Sequence, residues 1–176
     1  MFSDPVKNLK LFGLREDSIV ADLGAGTGFY SVAAGGMVPK GKVYAIEIVK
    51  DFLTTIKNKV KDAHLDNVDI IWGNVEDKHG THLADSIVDA VIASNIFFQV
   101  EDKNQFIEEI KRILKPSGKI LIIDWLPEDS KDALPIKFKG SMSKERAREM
   151  FEKKGLLFDR DIDAGVHHYG MILKKQ

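Results

Sequence analysis

The residues best suited to chemistry are Asp22, three glycines at alternate positions (Gly24, Gly26 and Gly28) and Glu47. Alternating glycines allow positive φ and leave no Cβ between backbone N–H groups and a ligand. Where such a turn opens a helix, those N–H groups and the positive end of the helix dipole favour anionic or polar ligand groups. Glu47 follows at about the 20-residue distance that separates a nucleotide turn from its ribose acid. A carboxylate there can accept from both hydroxyls of a ribose; a solvated strand end is the plainer alternative. The dinucleotide fingerprint G-x-G-x-x-G/A fails in both registers, because Phe29 or Ser31 stands at its third position. A hydride-transferring NAD enzyme is therefore disfavoured.

Other candidate groups are weaker. His79 and His82, and His167 and His168, have no third metal ligand nearby in sequence. The first pair reads as surface loop. Successive strand residues point to opposite faces, so one member of the second pair should face solvent, with a general-base role left open for the other. Phe97 and Phe98 are candidates to line an apolar acceptor pocket, at least one of them instead packing on the following helix. Residues 95–99, Asp124-Trp125 and 2–4 are candidate rim segments. No general base can be named.

The elements that must position these residues follow from periodicity. Residues 1–14 read as a short helix capped by Asp4, with Pro5 at its first position, Val6, Leu9 and Phe12 as its apolar stripe, and Gly13 as its stop. Strands are expected at 18–23, 42–47, 68–72, 88–93 and 119–124. Helices are expected at 29–34 (ended by Gly35-Gly36), 51–64 (Phe52, Leu53, Ile56, Val60 and Ala63 inward), 102–114 and 144–154. Residues 73–86 and 126–140 read as loops. Two final strands, 156–161 and 168–174, are joined too briefly for a crossover helix and so form an antiparallel hairpin. Alternating strands and helices predict an α/β, doubly wound, mostly parallel sheet with helices on both faces. Ligands of such sheets sit outside the carboxyl ends of the strands, on one rim with the glycine turn, Glu47, Asn74 and Ser94-Asn95.

The 176 residues suffice for one domain, 1–176. A net charge of −1 and a pI near 6.5 lack the basic signature of a nucleic-acid binder. Without cysteine there are no disulfides, thiolate nucleophiles or cysteine zinc sites. No apolar stretch approaches the ~20 residues of a membrane span, and no secretory h-region is seen at the N-terminus, which makes the cytoplasm the expected location.

Taken together, VADLGAGTGFY, VYAIEI, IIWGNVED, VDAVIASNIFF and LKPSGKILIID resemble the successive motifs of class I S-adenosylmethionine-dependent methyltransferases of the small, single-domain, Rossmann-like type. The resemblance covers nearly the whole chain and leans to the small-molecule and quinone branch. It implies a seven-stranded sheet of order 3-2-1-4-5-7-6 with strand 7 antiparallel, S-adenosylmethionine as cofactor and S-adenosylhomocysteine as product. It further implies Asp22, Gly24, Ala25 and Gly26 around the methionine end, with Tyr30 nearby. Glu47 would hold the ribose and Ile48 lie on an adenine face. Asn74 and the Val75 N–H would meet the adenine edge, Glu76 and Asp77 being alternatives to an Asn that stands where the family often has Asp. The Ser94 carbonyl would lie near the ammonium. The absence of an Asn-Pro-Pro-aromatic sequence after strand four leaves amine or amide methylation unsupported. The expected acceptor is a small molecule. The rivals are an RNA or protein acceptor on an open face, a site closed by a neighbouring subunit in a homo-oligomer, and a non-catalytic S-adenosylmethionine binder. The N-terminal helix is a candidate cover for the rim.

Overall fold

The computed structural model describes residues 3–127, 129–133 and 138–176. Its elements in order are α1 (Pro5–Phe12), β1 (Ile19–Leu23), α2 (Phe29–Met37), β2 (Lys42–Glu47), α3 (Lys50–Asp62), β3 (Val68–Trp72), β4 (Val88–Ser94), α4 (Lys103–Ile113), β5 (Leu114–Trp125), α5 (Lys144–Glu152), β6 (Leu156–Ile162) and β7 (His168–Lys175). The strands form one sheet of order β3-β2-β1-β4-β5-β7-β6. β1 to β5 pair in parallel, and β7 runs antiparallel to both β5 and β6. The carboxyl ends of the parallel strands thus share one rim.

Each face of the sheet buries an apolar layer. Leu9 and Phe12 of α1 and Ala34 of α2 pack with Val20, Val43, Ile92 and Ile123, and α3 adds Ile56 and Val60 against Ala45. On the other face α4 contributes Phe106, Ile107, Ile110 and Ile113, and α5 contributes Ala147 and Phe151. Burying each of the large apolar side chains is worth about 1.5–3 kcal/mol, which makes α4 a strong clamp on β4 and β5.

Local chemistry explains the ends of α1. The Asp4 carboxylate accepts from the Lys7 N–H at 3.2 Å, and Gly13 closes the helix at φ 74°. Val6, expected in the apolar stripe, is 46% exposed, and Asn8 turns inward beside Leu9 instead.

Three further expectations are corrected. α2 runs through Gly35-Gly36 to Met37. A Cβ on Gly35 would lie 2.8 Å from Val68 Cγ2 and 2.9 Å from Leu65 Cδ1, so this glycine serves close packing rather than termination. The Asn67 side chain donates to the Gly35 and Val38 carbonyls and so closes the helix from outside. β5 begins at Leu114, which pairs with Val88, and the register shifts before Ala90 pairs with Lys119; the Lys115–Gly118 turn is absorbed as an irregularity in the strand. On α3 only Ile56 and Val60 are buried, while Phe52 is 37% exposed and Ala63 is exposed. Residues 2, 128 and 134–137, parts of the expected rim segment and loop, lie outside the described residues. Among the described residues, no helix is long and apolar enough to cross a membrane.

Candidate active site

The glycine turn links β1 to α2, with Gly24, Gly26 and Gly28 all left-handed at φ 64°, 55° and 83°. Two of them also lie close against isoleucine side chains. A Cβ on Gly24 would fall 2.1 Å from Ile96 Cδ1, and one on Gly28 would fall 3.0 Å from Ile56 Cγ1. At Gly26 the nearest atom would be 3.9 Å away, so its conformation alone calls for glycine. The Ala25 N–H donates to the Ile46 carbonyl at 3.0 Å, anchoring the turn to β2.

Glu47 completes that anchor. Its Oε2 accepts from the Gly26 N–H at 2.7 Å, and its Oε1 accepts from the Ile48 and Val49 N–H groups at 2.9 and 2.8 Å. The residue is 6% exposed, yet it faces a cavity of about 910 Å³. Three backbone donors fix the carboxylate, and Oε2, with a single partner, keeps acceptor capacity.

Gly24, Ala25 and Gly26 line the same cavity, as do Ile48, Asn74, Val75 and Ser94. Ile48 is half exposed, and its carbonyl accepts from Trp72 Nε1 at 2.9 Å. Asn74 Oδ1 accepts from the Glu76 N–H at 3.2 Å. Val75 is 7% exposed, and its N–H has no hydrogen-bond partner among the described residues. Glu76 also lines the cavity, with Oε2 holding the Glu101 and Asp102 N–H groups. Asp77 does not reach it.

Tyr30 lies 9% exposed on the wall, and its hydroxyl is 2.8 Å from both Ser3 Oγ and Asn8 Nδ2. This ties α2 to α1 and brings Ser3 and Pro5 to the rim. Phe29 is exposed at the mouth, with Lys59 Nζ 3.5 Å from its ring centroid; Thr27 is not on the wall.

Asp22 stands apart from the other candidates. It lies behind the turn at 2% exposure, off the cavity wall, and its Oδ2 accepts from Ser31 Oγ at 2.5 Å. Burial pushes its carboxyl up to about 7, against the Ser31 hydrogen bond and with help from the Glu47 charge.

Asn95, Ile96, Gln99, Val100, Trp125 and His168 also line the cavity. Phe97 is absent from it. That ring is 1% exposed, packed at 5.9 Å from Phe106 of α4 and 5.2 Å from Phe151. Phe98 turns to Phe138 and also misses the wall. Asp124, 1% exposed, holds the Phe98 and Trp125 N–H groups at 2.8 Å each, fastening the loop after β4 to the end of β5. Burial pushes its carboxyl up to about 7 against those hydrogen bonds.

The histidines divide. His79 and His82 are exposed, at φ 59° and 58°. His167 Nδ1 lies 2.7 Å from the Asp132 carbonyl, whereas His168 is buried on the cavity wall. Among the described residues no three His, Cys, Asp or Glu side chains gather as a metal site requires. Val49, Gly73 and Val100 line the cavity without having been named as site candidates, and Phe52, expected only as an inward residue of its helix, lines it too. Phe52 had a usable signal, since an aromatic one turn into the helix after Glu47 necessarily sits near the rim.

A family model described as a methyltransferase domain matches residues 14–157. The chain belongs to this methyltransferase family. A crystal structure of a SAM-dependent methyltransferase from Aquifex aeolicus superposes with a TM-score of 0.88 at 31% identity, covering 99% of this chain and 91% of that one. The chain is also 29% identical over 119 residues to a demethylmenaquinone methyltransferase of Listeria welshimeri, and 30% identical over 115 residues to a ubiquinone/menaquinone biosynthesis C-methyltransferase of Hahella chejuensis. Those matches cover 67% and 64% of this chain but 49% and 45% of the relatives, so it spans about half the length of the curated relatives it matches. The matched segment contains the turn, Glu47, Asn74 and Ser94, so the methyltransferase family match extends over the cavity's carboxyl-edge wall.

Proposed function

We propose that this methyltransferase uses S-adenosylmethionine, works in the cytoplasm, and methylates a small, partly apolar molecule. The observation that carries the reading is the Gly26–Glu47 hydrogen bond, which joins the glycine turn to the strand-end acid on the wall of one large cavity. The cofactor supplies an activated methyl group together with its own leaving group. The chain's task is then to hold the two reactants in line and to keep water out.

In this reading Gly24, Ala25 and Gly26 bound the methionine end, and Tyr30 closes the wall beside them. Asp22 contributes its charge from behind the turn. Glu47 accepts from the ribose through its remaining capacity, Ile48 covers one adenine face, and Asn74 with the Val75 N–H meets the adenine edge. The Ser94 carbonyl lies toward the ammonium. The α1 segment, through Ser3 and Pro5, forms part of the cover. A small acceptor suits the cavity's walls, which carry no Lys or Arg among the described residues. It also suits relatives named for demethylmenaquinone and for ubiquinone/menaquinone C-methylation.

Calorimetry with S-adenosylmethionine, S-adenosylhomocysteine and NAD tests the cofactor. Binding of the first two and not the third is expected; NAD binding alone would overturn the reading. A labelled methyl-transfer screen over cell extract split into metabolites, RNA and protein then tests the acceptor. Label confined to RNA or protein would exclude a small molecule.

A further inference from the structure

We infer that Asn95 and His168 form a subsite for an uncharged hydroxyl group on the methyl acceptor. The inference rests on the methyltransferase reading and adds the acceptor's chemical class to it.

Both residues lie on the cavity wall, Asn95 just after β4 and His168 at the start of β7, and both carry polar atoms that the protein leaves unused. His168 is 6% exposed, and neither of its ring nitrogens has a hydrogen-bond partner among the described residues. Asn95 Oδ1 is likewise buried and unpartnered. Buried polar atoms without partners are rare enough in folded proteins to require an explanation.

Both residues are anchored at the wall. Asn95 is held at φ 55°, with its N–H on the Ile123 carbonyl at 2.8 Å and its own carbonyl accepting from Gln99 Nε2 at 2.9 Å. His168 sits opposite Trp125 in the β5–β7 pairing, and the two rings lie 4.0 Å apart at 34°. The Asn95 backbone is therefore fixed at the wall, and the Trp125 ring packs against the His168 imidazole.

The charge balance of the cavity narrows the ligand. Its only carboxylates among the described lining residues, Glu47 and Glu76, already accept from backbone N–H groups, and no Lys or Arg lines it. An acceptor carboxylate or phosphate would find no counter-charge. Burial, with the neighbouring His167, holds the His168 imidazole at about 4, so at neutral pH the ring is uncharged, one nitrogen donating and the other accepting. A ketone oxygen can only accept and would leave Asn95 Oδ1 unpaired. A hydroxyl donates and accepts at once, and so can serve both residues. Ile96, next to Asn95 in the chain, and Trp125, packed on His168, supply the apolar wall for the hydrocarbon that carries it.

The test uses the full chain saturated with S-adenosylhomocysteine, whose binding is measured first by calorimetry. The probes are 2-naphthol, 2-methylnaphthalene (similar shape, no hydroxyl) and 2-naphthoate, titrated by NMR while following the His168 imidazole nitrogens. The naphthol should bind about five- to tenfold more tightly than the methyl analogue, as one or two neutral hydrogen bonds give, and should shift the His168 nitrogens. The preference should shrink severalfold in His168→Phe and in Asn95→Ala, and naphthoate should bind no better than the hydrocarbon. Equal binding of naphthol and methylnaphthalene, a preference for naphthoate, or an undiminished preference in both variants would overturn the subsite. Wild-type discrimination and the nitrogen shift decide the matter even if a variant fails to fold. Failure of S-adenosylhomocysteine to bind would instead strike the cofactor reading, a separate and recognisable result.

Discussion

The Gly26 N–H donates to Glu47 Oε2 across 2.7 Å, which fastens the turn after β1 to the last residue of β2. Two motifs 21 positions apart are thereby one structural unit. Removing the carboxylate does two things at once. It strands three backbone N–H groups at the rim, and it deletes the proposed ribose acceptor. Glu47→Ala should therefore weaken S-adenosylhomocysteine binding by ~1–3 kcal/mol, read by calorimetry. Glu47→Gln keeps an acceptor oxygen and the shape, and should lose less. Equal affinity in wild type and Glu47→Ala would place the ribose elsewhere.

Gly24 and Gly26 separate conformational strain from steric crowding. Each sits at positive φ, where an L side chain costs about 1–2 kcal/mol. Only at Gly24 would the new Cβ also meet Ile96, at 2.1 Å from Cδ1 and 3.3 Å from Cβ; crowding of this kind adds roughly 1–3 kcal/mol. Gly24→Ala should thus unfold at lower denaturant than Gly26→Ala, with both below wild type. Trimming the neighbour in Gly24→Ala/Ile96→Ala should make the two substitutions less than additive. Strict additivity would show that the side chain of Ile96 is not what excludes a Cβ.

The strands, the helices and the glycine turn were legible because they depend on local pattern, whereas the sheet order follows only from the family resemblance. Asp22, the alternating glycines and Glu47 announce strand, turn, helix and strand within 26 residues. What escaped was set by tertiary packing. Gly35 reads as a stop, yet it serves the approach of Val68 and Leu65, and Asn67 closes the helix from a distant segment. Of Phe97 and Phe98, at least one is expected on the following helix, and Phe97 packs there on Phe106; what escaped is Phe98, which turns to Phe138 instead of the cavity wall. His167 and His168 are indistinguishable by type. Only the β5–β7 register, which sets His168 opposite Trp125, decides which of them reaches the cavity wall.

Asp22 gives a pH dependence whose sign can be worked out. Its carboxyl is raised from 3.8 to about 7 in the folded chain, chiefly by burial. The folded state then holds a proton that the unfolded state has already released, so stability falls as pH rises from about 4 through 7 and levels off above. A displacement of about three pKa units corresponds to at most about 4 kcal/mol. Asp124, also raised to about 7 by burial, adds a fall of the same sign, so the wild-type curve contains both. Asp22→Asn retains a group able to accept from Ser31 Oγ and removes the ionisation. The difference between the two proteins therefore isolates the Asp22 share. Denaturant unfolding at pH 5 and pH 8 should show a smaller loss of stability in Asp22→Asn than in wild type, and at pH 8 the variant should be the more stable of the two. Parallel pH profiles would mean that Asp22 carries its charge at no cost behind the turn. The electrostatic role proposed for it at the methionine end predicts the opposite direction for ligand binding: at pH 8, Asp22→Asn should bind S-adenosylhomocysteine more weakly than wild type, although it is the more stable protein.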